Sequence, residues 1–190
     1  MKKITIIAFD DFTDLDVFLA WDLFSRLRKG QQDLQLSIVG TASSHTSVGG
    51  LVLEMHEGVE ACEGADVVYI ASGPGIRKLV TDRLYLEKLR LVPQRQILCS
   101  VCSGALVLGA LGHLQGLPAT TYPSSYEQLK AYGATVITNK PLVTNGNTAT
   151  AAGCLAAVDL VGWVTSKLYG EKAMERILAS VLPIGEASNP

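Results

Sequence analysis

Cys102 stands in the run Arg95–Leu111, RQILCSVCSGALVLGAL, with Ser100 two residues before it and Gly104 two after. An apolar run, Ile97-Leu98-Cys99, leads in, and Ala105, Leu106, Leu108 and Leu111 follow at helical spacing. Strand, sharp turn and helix, with a nucleophile at the turn, is the pattern of a nucleophile elbow, whose cramped backbone demands small neighbours. The turn sets the sulfur at a helix N-terminus, where unpaired N–H groups and the helix dipole favour thiolate over thiol. The chemistry expected is nucleophilic attack by Cys102, with a depressed thiol pKa. A free cysteine is more often a small buried hydrophobe. The Ser-x-Cys-x-Gly spacing tips the balance towards function.

Two more features should meet that sulfur. Asp16 falls in the apolar stripe Phe12, Leu19, Leu23, Leu27 of the first helix, and a core-facing carboxylate needs a partner. Beside Cys102 it would hold a proton near neutrality, bond the thiolate and act as general acid. The turn Ala71-Ser72-Gly73-Pro74-Gly75 follows a buried strand, and the N–H groups of Gly73 and Ser103 could form an oxyanion hole. Gly73-Pro74-Gly75 is a weak dinucleotide fingerprint, because its third glycine position is Lys78.

The elements that must position these residues alternate. Strands are expected at Lys3–Phe9, Leu34–Val39, Ala65–Ile70 and the elbow. Shorter ones are expected at Ala119–Thr121, Thr135–Ile137 and Leu142–Thr144. Helices are expected from Thr13 to about Lys29, Ile76 to about Leu91, after Cys102, and over Ser124–Tyr132, Thr150–Leu168 and Glu171–Val181. Gly49-Gly50 marks a small hairpin, and Asn145-Gly146 a turn. The alternation predicts one α/β domain over 1–184, with a mainly parallel sheet covered on both faces. A loose tail is expected at 185–190.

The bulk properties exclude several classes. The chain has 190 residues, 48% hydrophobic and 18% charged, with a net charge of −2. Mean hydropathy is +0.27 and the pI about 5.9. No basic stripe invites nucleic acid. Asp10 and Asp11 interrupt the N-terminal apolar run too soon for a signal peptide, and no run spans a bilayer. The expected location is the cytoplasm. Cys99 and Cys102 form a C-x-x-C, but Cys62 and Cys154 stand alone, so neither a zinc site nor a redox pair is expected. Cys154, and the histidines His45, His56 and His113, are read as structural.

The most specific segments are Phe12-Thr13-Asp14-Leu15-Asp16, Gly73-Pro74-Gly75, Cys102-Ser103-Gly104 with Leu108-Gly109-Ala110, and Ala119-Thr120-Thr121. Gly146-Asn147 and Thr150-Ala151-Ala152-Gly153 complete the set. From Lys3 to about Leu168 the chain resembles the ThiJ/PfpI (DJ) superfamily, in its isonitrile hydratase-like branch. The resemblance implies a flavodoxin-like three-layer α/β/α sandwich, related to class I glutamine amidotransferases, and usually a homodimer. It implies Cys102 as nucleophile and Asp16 as acidic partner, with no metal or organic cofactor. The implied reaction adds water to an isonitrile to give an N-substituted formamide. Three positions depart from the family's habit. Ala71-Ser72 replaces Pro-Gly, Tyr122 after Thr121 replaces a usual histidine, and Asn145 replaces a common aspartate. Thr121 and Tyr122 are therefore expected to shape the substrate pocket. Three alternatives stay open: a cysteine oxidation sensor or stress protein, a glyoxalase- or amidase-type enzyme, and a ligand-binding module.

Overall fold

The computed structural model describes residues 1–183. The expected boundary at 184 and the tail at 185–190 lie outside them.

Seven strands form the central sheet: β1 (Lys2–Ile7), β2 (Leu34–Gly40), β5 (Glu57–Gly58), β6 (Val67–Ile70), β7 (Ile97–Val101), β10 (Leu142–Asn145) and β11 (Thr148–Ala151). Their order is β10-β11-β7-β6-β1-β2-β5. Every pairing is parallel except β10 with β11. Outside it, β3 (Ser44–Thr46) and β4 (Val52–Glu54) pair antiparallel as one hairpin, and β8 (Pro118–Ala119) pairs parallel with β9 (Thr135–Val136). Strands β6 and β7 are buried along their whole length, as apolar runs covered on both faces must be.

The helices are α1 (Asp14–Gly30), α2 (Ile76–Leu79), α3 (Arg83–Lys88), α4 (Ala105–Ala110), α5 (Tyr126–Ala131), α6 (Ala157–Tyr169) and α7 (Glu171–Ala179). α1, α6 and α7 pack as one group, and α4 packs with α2 and α5 as another. This is the flavodoxin-like α/β/α sandwich.

Two expected elements differ. Ile76–Leu91 is not one helix. Asp82 takes extended backbone and its side chain accepts from the Tyr85 N–H at 3.1 Å, so α3 starts afresh. Thr150 does not begin a helix. Thr148-Ala-Thr-Ala151 is a fully buried strand between β7 and β10, and α6 starts only after a positive-φ Gly153. Small residues there reflect a strand held tightly between neighbours, not a helix start.

Strand order decides where the site falls. From β1 the chain moves one way to β2, then returns to the other side of β1 with β6. That reversal between β1 and β6 is a switch point, and ligands bind beyond the carboxyl ends of strands there.

Candidate active site

Four adjacent strands, β1, β6, β7 and β11, deliver four chemical groups to the switch point. Asp16 comes from α1 after β1, Ser72 and Gly73 follow β6, Cys102 follows β7, and Cys154 follows β11.

Cys102 has φ of 51°, a left-handed conformation that a non-glycine residue adopts at a cost. Its backbone cannot relax, because close contacts hold the elbow. A Cβ on Gly104 would lie 2.6 Å from the Ile70 carbonyl oxygen and 2.7 Å from that of Ala71. The glycine lets the elbow press onto the end of β6. From the other side, Thr121 Oγ1 donates to the Cys102 carbonyl at 2.7 Å. The β6 turn is held as tightly. A Cβ on Gly73 would lie 2.1 Å from the Asp11 carbonyl oxygen, and the Thr13 N–H donates to the Ser72 carbonyl at 2.7 Å. The start of α1 is thus locked to the turn that carries Ser72.

Cys102 lines a cleft of about 270 Å³ with Thr13, Ser72, Gly73, Arg77, Ser103 and Tyr122. Asp16 lies beneath it, fully buried. The buried Ser72 hydroxyl donates to Asp16 Oδ2, and Asp16 Oδ1 has no hydrogen-bond partner among the described residues.

The thiol differs from expectation. Burial pushes the Cys102 thiol above its ordinary value, and the charge of Asp16 pushes the same way. The Ser72 hydroxyl and the Ser103 N–H beside the sulfur pull it down without reversing the shift. The expected depressed thiol is therefore corrected: the helix-end amide is present, but burial beside a carboxylate outweighs it.

Gly73 and Ser103 both reach the cleft. The Ser103 N–H faces the Cys102 sulfur, while the Gly73 N–H donates to no backbone acceptor among the described residues. Tyr122 is half exposed on the rim. Thr121 is fully buried and spends its hydroxyl on the Cys102 backbone.

Sequence reasoning passed over three residues here. Ser72 enters the sequence reading only as part of the turn and of its departure from Pro-Gly, not for its hydroxyl. Arg77, exposed at the start of α2, lines the cleft. Cys154 does more than pack: its thiol lies beside Asp16, and burial together with that carboxyl pushes it up to about 12. The histidines sit elsewhere. His45 Nε2 accepts from the Thr41 N–H at 3.2 Å, and His56 Nδ1 accepts from the Ile38 N–H at 3.1 Å while stacking on Trp21. Cys99 is fully buried within β7. No group of three metal-binding side chains occurs among the described residues, and no helix there is long and apolar enough to cross a membrane.

The fold and site define a doubly wound α/β/α protein with a cysteine on a strand-to-helix elbow. The chain belongs to the DJ-1/PfpI family, which it matches over residues 2–166. It is 31% identical over 169 residues to isonitrile hydratase from Pseudomonas putida, across 88% of this chain and 72% of that protein. A ThiJ/PfpI family protein from Pseudomonas syringae superposes with a TM-score of 0.85 at 24% identity, over 96% of this chain and 76% of the other. Drosophila melanogaster DJ-1beta superposes with a TM-score of 0.83 at 18% identity, over 95% and 97%. These two likenesses concern the fold.

Proposed function

We propose that the protein is a cofactor-free, cysteine-dependent hydratase or hydrolase of a small molecule, with isonitriles as the leading substrate class. The observation that carries this reading is a fully buried carboxyl, Asp16, placed beneath an elbow cysteine that opens onto a cleft. The 31% identity to an isonitrile hydratase supports the substrate class.

In the proposed reaction the Cys102 thiolate attacks the terminal isonitrile carbon, forming a C–S bond. That carbon takes a proton from Asp16, giving a thioimidate. Water then adds across the C=N bond: its oxygen bonds carbon, nitrogen gains a proton, and Asp16 relays the transfer. Collapse of the adduct breaks the C–S bond, returns the thiolate, and passes the hydroxyl proton to Asp16. The product is an N-substituted formamide. The Gly73 and Ser103 amides are the candidates to stabilise charge developing at the adduct.

The oxidation-sensor reading stands second. A peroxide sensor works through a thiolate at rest, and both burial and Asp16 oppose one here. A homodimer is part of the proposal. Leu15 on α1 and Val48, Leu51 and Val52 on the β3–β4 hairpin are exposed apolar residues. They are brought together because Asp14 accepts from Ser47 Oγ at 2.5 Å and from the Gly49 N–H at 3.1 Å. Such a patch marks an interface more often than bare surface.

The test is a screen of isonitriles, 2-oxoaldehydes and small amides against wild type and Cys102→Ala. Formamide production that disappears in Cys102→Ala supports the reading. An absence of Cys102-dependent turnover on every class overturns it.

A further inference from the structure

A third group, Ser72, lies against both the carboxyl and the thiol. Ser72 is buried, with 1% of its surface exposed. Its hydroxyl meets Asp16 Oδ2 on one side, and the same residue lines the cleft with Cys102 on the other. Its position is fixed by backbone rather than chance. The Thr13 N–H holds its carbonyl at 2.7 Å, and Gly104 seats the elbow against the carbonyl of Ala71 just before it.

We propose that Ser72 is a proton relay between Asp16 and Cys102, so that thiol activation runs through its hydroxyl. The inference rests on the reading of Asp16 and Cys102 as an acid–nucleophile pair.

The transfer balances with no added reagent. The S–H bond of Cys102 breaks and its proton bonds to Ser72 Oγ. The proton that Ser72 already donates to Asp16 Oδ2 passes fully to that oxygen. The result is a thiolate, a carboxylic acid and an unchanged hydroxyl. Reversal returns the proton to the sulfur.

The arrangement answers a difficulty in the site. A thiol raised by burial and by a nearby carboxylate is a poor nucleophile at neutral pH. Moving its proton onto Asp16 cancels the opposing charge at the moment the thiolate forms. Two buried negative charges never coexist, and the net charge of the pocket stays constant. Asp16 Oδ1 is buried with no hydrogen-bond partner among the described residues, and the Cys154 thiol lies beside the carboxyl.

A purely structural Ser72 would do less. It would satisfy a buried carboxyl oxygen, and its loss would lower stability alone. The two roles separate by titrating the sulfur. Wild type, Ser72→Ala and Ser72→Thr are each alkylated with iodoacetamide across a range of pH, reading the Cys102 peptide by mass spectrometry. Thermal melts establish that each variant is folded.

The relay predicts that Ser72→Ala raises the midpoint of Cys102 alkylation by about one pH unit. Turnover of any active substrate falls by about a hundredfold, the scale of a lost proton-transfer step. Ser72→Thr restores both. A Ser72→Ala protein with an unmoved midpoint and turnover within about twofold of wild type overturns the relay, whatever its melting temperature. Alkylation needs no substrate. The relay can therefore fail while the hydratase reading stands, and a wrong substrate class leaves the titration intact.

Discussion

The side chain of Thr121 holds the main chain of Cys102: its hydroxyl donates to the Cys102 carbonyl at 2.7 Å, from a fully buried position. The nucleophile's strained conformation is therefore braced from a neighbouring loop. Thr121→Val keeps the shape and leaves that carbonyl without its donor. The expected loss is about 1–3 kcal/mol of stability, measured by urea denaturation, together with reduced turnover. Unchanged stability would show that the brace contributes nothing.

Cys102 supplies a second prediction through its φ of 51°. Both Cys102→Ala and Cys102→Gly remove the sulfur and end turnover. Glycine, however, accepts the left-handed conformation without strain. Cys102→Gly should therefore be more stable than Cys102→Ala by about 1 kcal/mol, after its greater backbone entropy in the unfolded chain is counted. Equal melting curves would mean the elbow is unstrained.

A third prediction concerns pH. The negative charge of Asp16 raises the Cys102 thiol, so its removal favours the thiolate. Asp16→Asn should move the midpoint of Cys102 alkylation to lower pH, making the sulfur more reactive at neutrality. Turnover should nevertheless fall by about a hundredfold or more, because no acid remains to deliver the proton. A variant that alkylates faster while turning over slower separates nucleophilicity from catalysis. If Asp16→Asn retains full turnover on every active substrate, its acid–base role is wrong.

The fourth follows from Arg77. It lines the cleft, is exposed, and joins no ion pair among the described residues, whereas the adjacent Lys78 lies 3.8 Å from Asp11. A cation on the rim favours substrates that carry an anionic substituent. Arg77→Ala should raise KM for a carboxylate-bearing isonitrile by roughly fivefold, the scale of an exposed ion pair, and leave a neutral one unaffected. Matched changes in both would remove Arg77 from specificity.

The elbow and Asp16 were legible in the sequence for local reasons. Ser100 and Gly104 report the space that a tight turn leaves, and a carboxylate in an apolar stripe violates its own periodicity. The strand β11 was not legible. Thr148-Ala-Thr-Ala151 has little apolar bulk, and only its sandwiching between β7 and β10 makes it a strand. Thr121 was drawn to the site by the resemblance, but its hydroxyl serves the backbone. Ser72 escaped because its importance is purely spatial. Nothing in Ala71-Ser72-Gly73 says that the hydroxyl will meet a carboxyl 56 residues earlier in the chain.

The thiol's raised pKa was missed for a related reason. A helix end can be read from spacing, while burial and a neighbouring charge depend on β1 and β7 flanking β6. The local cue pointed towards a thiolate, and the long-range arrangement opposed it.

Because the acid, the hydroxyl and the sulfur arrive on three parallel strands, no hairpin or short fragment can assemble the centre by itself. Parallel pairings link distant stretches and form late in folding. Chemical competence should therefore emerge only once the whole central ladder has closed, making turnover a sensitive gauge of complete folding. A nascent or nicked chain, even one that keeps its helices, would carry an ordinary cysteine.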